Sequence, residues 1–318
     1  MANTTRPVVV LAGGLSHERD VSLRSGRRVS AALKSAGHRV VESDLNPTLL
    51  PLLSELDDPI VFPVLHGGAG EDGALREVFD LLAIPYVGST GRASRTAFDK
   101  AVSTPLVAAA GILTPAQTAL PQDMFRELGA ATRVSALGRS LGFPLLVKPA
   151  RSGSALGASK VENATELPAA IVTAFGYGEV AIVEDYIEGR EVAVSVIDLG
   201  AGPVALPAVE IRPRSGLYDY TARYTAGETT FCTPADLPDD LAQQCADLAL
   251  RAHHVLGLRH LSRTDLIIHD HHPVFIEVNV APGMTETSLL PLAIEGSGKS
   301  FGEVCSGLVA LAGADVAS

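Results

Sequence analysis

The sequence predicts an α/β protein in three units: a partly parallel β-α-β unit at the N-terminus, then two smaller α+β units. Three observations carry this. The first stretch alternates short apolar runs with helical periods, the order that builds parallel sheets. Near residue 92 two consecutive helical stretches replace the alternation and lead into short strands. From about residue 183 long strands dominate and enclose one amphipathic helix. The expected units are 1–92, 93–182 and 183–318.

In order, PVVVLAGG (7–14) is an apolar run ended by two glycines. SLRSGRRVSAALKSAG (22–37) is a helix closed by Gly37 at its C-terminal cap. HRVVESDL (38–45) and DPIVFPVLHGG (58–68) are strands, LREVFDLLA (75–83) a helix, and IPYVGS (84–89) a short strand. Helices follow over 92–110 and 122–141, then the strands FPLLVKPA, GASKV and EVAIVEDYI. The last unit has the strands REVAVSVIDL and PVALPAVEIR and the helix DDLAQQCADLALRAHHVLG. RHLSRTDLIIHDHHPVFIEVNV then reads as two strands around a turn, and two helices finish the chain.

A chain of 318 residues exceeds one ordinary core. Hydrophobic content of 47% with 19% charged residues is that of a packed globular protein rather than a disordered one. No apolar run reaches the roughly 18 residues of a membrane span. The start, MANTTRPVVVLAGG, lacks the pattern of a secretory signal. The sparse cysteines Cys232, Cys245 and Cys305 suit a reducing compartment, so a cytoplasmic protein is expected. A net charge of −11 argues against nucleic-acid binding, and no membrane partner is expected.

Candidate chemistry sits at strand ends. Glu277 and Asn279 close an apolar strand and face one side of it, because residues two apart in a strand do. A hairpin through HDHHP brings Asp265 across from Glu277. Two carboxylates and an amide are hard oxygen ligands that suit Mg²⁺, although the pair alone also fits a solvated strand edge. KPARSGSALGAS (148–159) is a glycine-containing loop between strands, able to bring backbone N–H groups to phosphate, with Lys148 at its start. A plain hairpin loop is the alternative. His66 ends an apolar run at a glycine-rich loop, where sites collect. Glu18 follows a glycine turn, and Ser16 as N-cap with acids in the first turn would account for it. AIEGSGKS (293–300) mimics a P-loop, but it lacks the first glycine and a leading strand; a helix end and a capping box at Ser300–Glu303 explain it. His269, His271 and His272 match no usual metal-ligand spacing and read as turn residues. Ser154 lies outside any G-x-S-x-G elbow, which disfavours a serine hydrolase.

Taken together, GGLSHERDVSLRSG, VLHGGAGEDG, FDK, LVKPARSGSALGASKV, VEDYIEGREVAV, YDYTARY, RTD and EVNVAPGMTETSLLP resemble, in order, the motifs of the D-alanine–D-alanine ligase family of the ATP-grasp superfamily. The resemblance runs from about residue 7 to 312. It implies a three-domain ATP-grasp fold and an ATP-dependent ligase that joins two D-alanines through an acyl phosphate, for peptidoglycan precursor synthesis. It also implies a homodimer. Lys100 and Lys148 would hold ATP phosphates, with Arg223 of the flap beside them. Glu184 would meet the adenine amino group and Glu191 the ribose hydroxyls, with Ile187 among the nucleotide contacts. Asp265, Glu277 and Asn279 would hold two Mg²⁺ ions, for which Mn²⁺ can substitute. Glu18 would bind the first ammonium, His66 would lie near the first carboxylate, and Ser288 and Leu289 would contact the second amino acid. Arg263 and the Gly283 N–H would face the developing oxyanion, while Ser154 and Tyr224 would link the glycine loop to the flap. The flap YDYTARY favours an amine nucleophile. Ala155, Arg223 and Val280 depart from the family's usual serine, lysine and threonine. They leave open a paralogue that joins other amino acids. A non-catalytic nucleotide binder would be expected to have lost a metal ligand or Arg263, and both are present.

Overall fold

The computed structural model describes residues 6–127, 140–214, 225 and 227–315. β1 (Val8–Leu11), α1 (Arg19–Ser35), β2 (Val40–Ser43), α2 (Leu49–Glu55), β3 (Ile60–Pro63) and α3 (Ala74–Leu81) form the N-terminal layer. Its strands pair in the order β2-β1-β3, all parallel. Such pairs need crossovers, and α1 supplies the first. α1 closes as predicted: Gly37 takes φ +87° and donates its N–H to Lys34, a conformation that suits glycine. Its start is later than expected: Glu18 holds the N-cap position without a side-chain cap, while the Ser16 hydroxyl accepts from the Glu18 N–H at 3.2 Å and donates to the His66 carbonyl at 2.6 Å. The run IPYVGS makes only a single parallel bridge, Val61 to Tyr86, rather than a strand.

The predicted helix over 92–110 is two helices, α4 (Gly91–Phe98) and α5 (Lys100–Ala109), divided at Asp99. The Asp99 side chain accepts from the Ala101 N–H and starts α5 afresh. β4 (Gln117–Pro121) and α6 (Gln122–Glu127) follow; the rest of the predicted helix to 141 largely falls outside the described residues. The middle layer continues with β5 (Leu145–Pro149), β6 (Ser159–Val161), α7 (Leu167–Phe175) and β7 (Val180–Asp185). Its antiparallel sheet runs β4-β7-β5-β6. Leu145, Val147, Ala181 and Val183 pack with α7 on one face, which leaves Lys148 and Glu184 for the other. β7 stays whole in this sheet, so the change of sheet falls at 186–189, past the expected break at 183.

The large sheet holds β8 (Arg190–Asp198), β9 (Pro203–Ala205), β10 (Val209–Pro213), β11 (Thr229–Cys232), β12 (Leu261–His269) and β13 (His272–Asn279), in the order β11-β10-β8-β12-β13 with β9 on β8. α8 (Asp239–Val255) covers one face; α9 (Leu289–Gly296) and α10 (Phe301–Asp315) cover the other. β8 is buried on both sides: Val192, Val194 and Val196 face α8, whereas Ala193 and Ile197 face α9 and α10. That explains its continuous apolar run. α4 and α5 contribute Ala93, Ala97 and Val107 to the α8 core, so they pack on the large sheet and not on the middle one. The C-terminal helices share a core with Val8, Val10 and Phe62 of the N-terminal sheet. The capping box stands at the start of α10: Ser300 N–H donates to Glu303 and Glu303 N–H to the Ser300 hydroxyl.

β12 and β13 form the predicted hairpin. Asp270 and His271 are its turn residues, both with positive φ. Counted back from that turn, Asp265 would face Ile276. A β-bulge between Asp265 and Leu266 in the pairing shifts the register by one, so that Asp265 pairs with Glu277 and Arg263 with Asn279.

Leu308, fully buried where α10 meets two sheets, is the fold's most direct test. Leu308→Ala is expected to lower unfolding stability by about 2–5 kcal/mol in urea titration. Val172→Ala, on the exposed side of α7, is expected to stay within about 0.5 kcal/mol.

Candidate active site

Two clefts meet over the hairpin. One is lined by Glu18, His66, Lys100, Ser154, Arg263, Glu277, Asn279, Gly283, Ser288 and Leu289, among others. The other lies between the middle and large sheets and includes Lys148, Glu184, Ile187, Glu191 and Asp265. Lys100, Ser152 and Glu277 line both, so the clefts join there. The structure thus brings every described candidate residue to one continuous site. Arg223 and Tyr224 lie outside the described residues.

Charge is balanced at the junction. Arg263 and Asp265, two apart on β12, share a face, and Arg263 holds both Asp265 oxygens at 2.6 and 2.7 Å. Lys100, at the start of α5, places its ammonium 3.0 Å from Glu277 and donates to the Ser152 carbonyl at 2.8 Å. In the other cleft Lys148 and Glu184, both almost fully buried, pair at 2.5 Å. A buried charge without a partner would cost several kcal/mol, so each of these pairs is a condition for the site to exist. The Asn279 amide oxygen accepts from the Ala281 N–H at 2.8 Å and fixes the turn into Pro282-Gly283.

The oxygen donors of Asp265, Glu277 and Asn279 fit Mg²⁺, which takes few protein ligands and completes its shell with phosphate and water. Among the described residues no group of three His, Cys, Asp or Glu side chains converges on a metal position; Asp265, Glu277 and Asn279 offer two carboxylates and an amide.

The cleft that holds Glu18 and His66 is built on α1 and two loops. The Ser154 hydroxyl donates to Glu18 at 2.5 Å, joining the glycine loop to the N-terminal layer. Ser154 and Ala155 hold φ near +53° and +56°, a strained backbone that turns this loop inward. His66 is buried: Nδ1 donates to the Ala281 carbonyl at 2.9 Å, and Nε2 accepts from the Ser25 hydroxyl at 3.1 Å. Burial holds its imidazole below the ordinary value. A Cβ at Gly283 would lie 2.6 Å from the Ser288 hydroxyl, so a side chain there would displace Ser288; Gly283 itself lines the cleft. Ser288 precedes α9, and its hydroxyl accepts from the Thr285 N–H at 3.1 Å.

Glu71, Ser152 and Arg24 line the same cleft and were not singled out from the sequence. Glu71 follows the Gly-Gly-Ala-Gly turn, where an acid reads as solvated; only the folded loop buries it. Its carboxylate accepts from the Gly67 N–H at 3.1 Å. Burial first, and then the negative charge of Glu18, push its carboxyl up to about 7.

Family models described as D-ala D-ala ligase N-terminus and C-terminus match residues 44–89 and 106–310. The chain belongs to the D-alanine–D-alanine ligase family. A D-alanine–D-alanine ligase of Desulforudis audaxviator is 40% identical over 310 residues, which cover 96% of this chain and 98% of that protein. The structure of a Bacillus anthracis D-alanine–D-alanine ligase complexed with ATP superposes with TM-score 0.82 at 27% identity, covering 98% of this chain and 99% of that one. The VanG D-Ala:D-Ser ligase of Enterococcus faecalis superposes with TM-score 0.83 at 30% identity, over 97% and 99% of the two chains. The chain is thus an ATP-dependent ligase with an ATP-grasp fold. No helix among the described residues is long and apolar enough to cross a membrane.

Glu71 makes stability pH-dependent. Its folded carboxyl holds a proton more tightly than the unfolded one, so the folded state binds more protons between about 4.5 and 7. The stability contribution is fully present below 4.5 and is lost as pH rises through 7. Relative to Glu71→Gln, the wild type is expected to lose on the order of 3 kcal/mol across this window in urea unfolding. A pH-independent difference between the two proteins would contradict this.

Proposed function

We propose that the enzyme joins two D-alanines to D-alanyl-D-alanine with ATP, and that the residues above carry the reaction. The observation that supports it best is the junction of the two clefts at Lys100, Ser152 and Glu277, beside the Arg263–Asp265 pair. ATP occupies the cleft between the sheets, with adenine at Glu184, ribose at Glu191, Ile187 along the nucleotide, and phosphates at Lys148, Lys100 and the glycine loop. The first D-alanine places its ammonium on Glu18 and its carboxylate between His66 and Arg263.

A carboxylate is a poor electrophile and must be activated. One of its oxygens takes the γ-phosphoryl group, the bond to ADP breaks, and an acyl phosphate results. Asp265, Glu277 and Asn279 would hold two Mg²⁺ ions, or Mn²⁺, whose chemistry when bound is to neutralise phosphate charge. The amine of the second D-alanine, seated by Ser288 and Leu289, attacks the acyl carbon. The tetrahedral oxyanion is met by the Gly283 N–H and the Arg263 guanidinium. The C–O bond to phosphate then breaks, the amine gives up its proton, and the dipeptide forms. Ser154 holds Glu18 across the site during these steps, and the resemblance makes Tyr224 of the flap its partner, with Arg223 beside the phosphates.

The same reading makes the enzyme a cytoplasmic homodimer that supplies a peptidoglycan precursor. The D-alanine pair is favoured over a paralogue's substrates by the full-length relative named for it. A pure nucleotide binder is disfavoured because the metal donors, the lysines and Arg263 are all present in one site.

With Mg-ATP and D-alanine alone, phosphate release and a D-alanyl-D-alanine mass are expected. Turnover only with another pair of D- or L-amino acids would replace the substrate and keep the first step. Glu277→Gln is expected to abolish ADP formation and, because it leaves the buried Lys100 ammonium without its carboxylate, to lower the thermal midpoint as well; activity retained in that variant would remove Glu277 from the metal site.

A further inference from the structure

We infer that Arg24 is a specificity-determining residue that binds the carboxylate of the second amino acid and selects free amino acids as acceptors. The inference deepens the proposed function and rests on its placing the acceptor beside Ser288.

The position follows from α1. Residues three and four apart on a helix share a face. Val21, Arg24, Ser25 and Arg28 therefore form one stripe that begins just beyond Glu18. The stripe runs along the loop after Gly283. Arg28 donates to the Thr285 carbonyl at 2.8 Å, and the Ser25 hydroxyl accepts from the Met284 N–H at 3.1 Å. Arg28 also pairs with Glu295 at 3.1 Å and lies over the Phe301 ring at 4.3 Å, so it is committed to holding that loop in place. Arg24 sits one turn nearer Glu18 and lines the cleft together with Thr287 and Ser288. It thus stands between the end of the site that takes the first ammonium and the loop that seats the acceptor.

Charge singles it out. Of the described cations lining this cleft, Lys100 is engaged by Glu277 and Arg263 by Asp265. Arg24 is exposed, and among the described residues it makes no hydrogen bond or ion pair. Two carboxylates enter during the reaction. The first is converted to an acyl phosphate and then an amide. The second keeps its charge throughout and is carried into the product. Ser288 offers it only a hydroxyl that already exchanges a bond with Thr285 at 2.8 Å. A guanidinium presents two parallel N–H donors to a carboxylate and supplies an opposite charge.

The test uses D-alaninamide, which has an amine to attack with but no carboxylate to phosphorylate, so it serves only as acceptor. ADP formation and product masses are measured for wild type, Arg24→Gln and Arg24→Lys. D-Alanine alone gives the two amino-acid KM values, and limiting D-alanine with varied D-alaninamide gives the second acceptor. Arg24→Gln is expected to raise the second-site KM for D-alanine about tenfold, with kcat and the first-site KM within about twofold. KM for D-alaninamide is expected to stay unchanged, and Arg24→Lys to recover part of the loss. An unchanged second-site KM, or an equal loss with both acceptors, would overturn the role of Arg24. Failure of the wild type to form any D-alanyl-D-alanine would instead overturn the proposed function.

Discussion

One ammonium group holds the site together. Lys100 begins α5, reaches Glu277 at the end of β13, and donates to the backbone of the glycine loop at Ser152. Three elements from different parts of the chain therefore meet at a single buried nitrogen. Removing a charge of this kind from water is costly unless it is fully paired. The pairing fixes the distance between the glycine loop and the hairpin. The Lys148–Glu184 and Arg263–Asp265 pairs extend the same logic outward on either side. Each of these carboxylates is balanced by a cation of the chain itself.

Much of this was legible in the sequence because the chemistry is carried by short runs at strand ends. The β-α-β start, the β12–β13 hairpin, the helix stop at Gly37 and the capping box at Ser300 each follow from local rules. What escaped had weak or conflicting local signals. α2 is a leucine run interrupted by Pro51, and α7 opens with a proline near its start and is too uniformly apolar to show a face. β4 is a short edge strand that ends in Pro121, where the ladder loses a donor. The split at Asp99 required recognising a cap inside a helical period. The packing of α4 and α5 on the large sheet is a tertiary choice that no local pattern announces.

The site divides in the same way. Glu277, Asn279 and Lys148 announce themselves by position, and the eight ordered motifs of the resemblance supplied the roles of the others. Glu71 did not, because an acid after a glycine turn reads as surface chemistry until the loop folds under α1. Arg24 was hidden for the opposite reason. In an amphipathic helix an arginine on the polar face is ordinary, and only the cleft beside it gives it something to bind.

The bulge in the hairpin has a consequence for how the enzyme is lost. Antiparallel strands keep their hydrogen-bonded ladder when the pairing slides by a residue, but every side chain beyond the slide meets a different neighbour. A ladder that absorbed the bulge by pairing Ile276 with Asp265 would be regular, yet it would turn Glu277 and Asn279 toward α8 and out of the cleft. Deleting Ile276 would instead remove the need for the bulge and leave Glu277 across from Asp265. The extra residue is a spacer, and where the ladder takes it up decides which side the acid and the amide face, a form of information held in the spacing of a sequence rather than in any one letter.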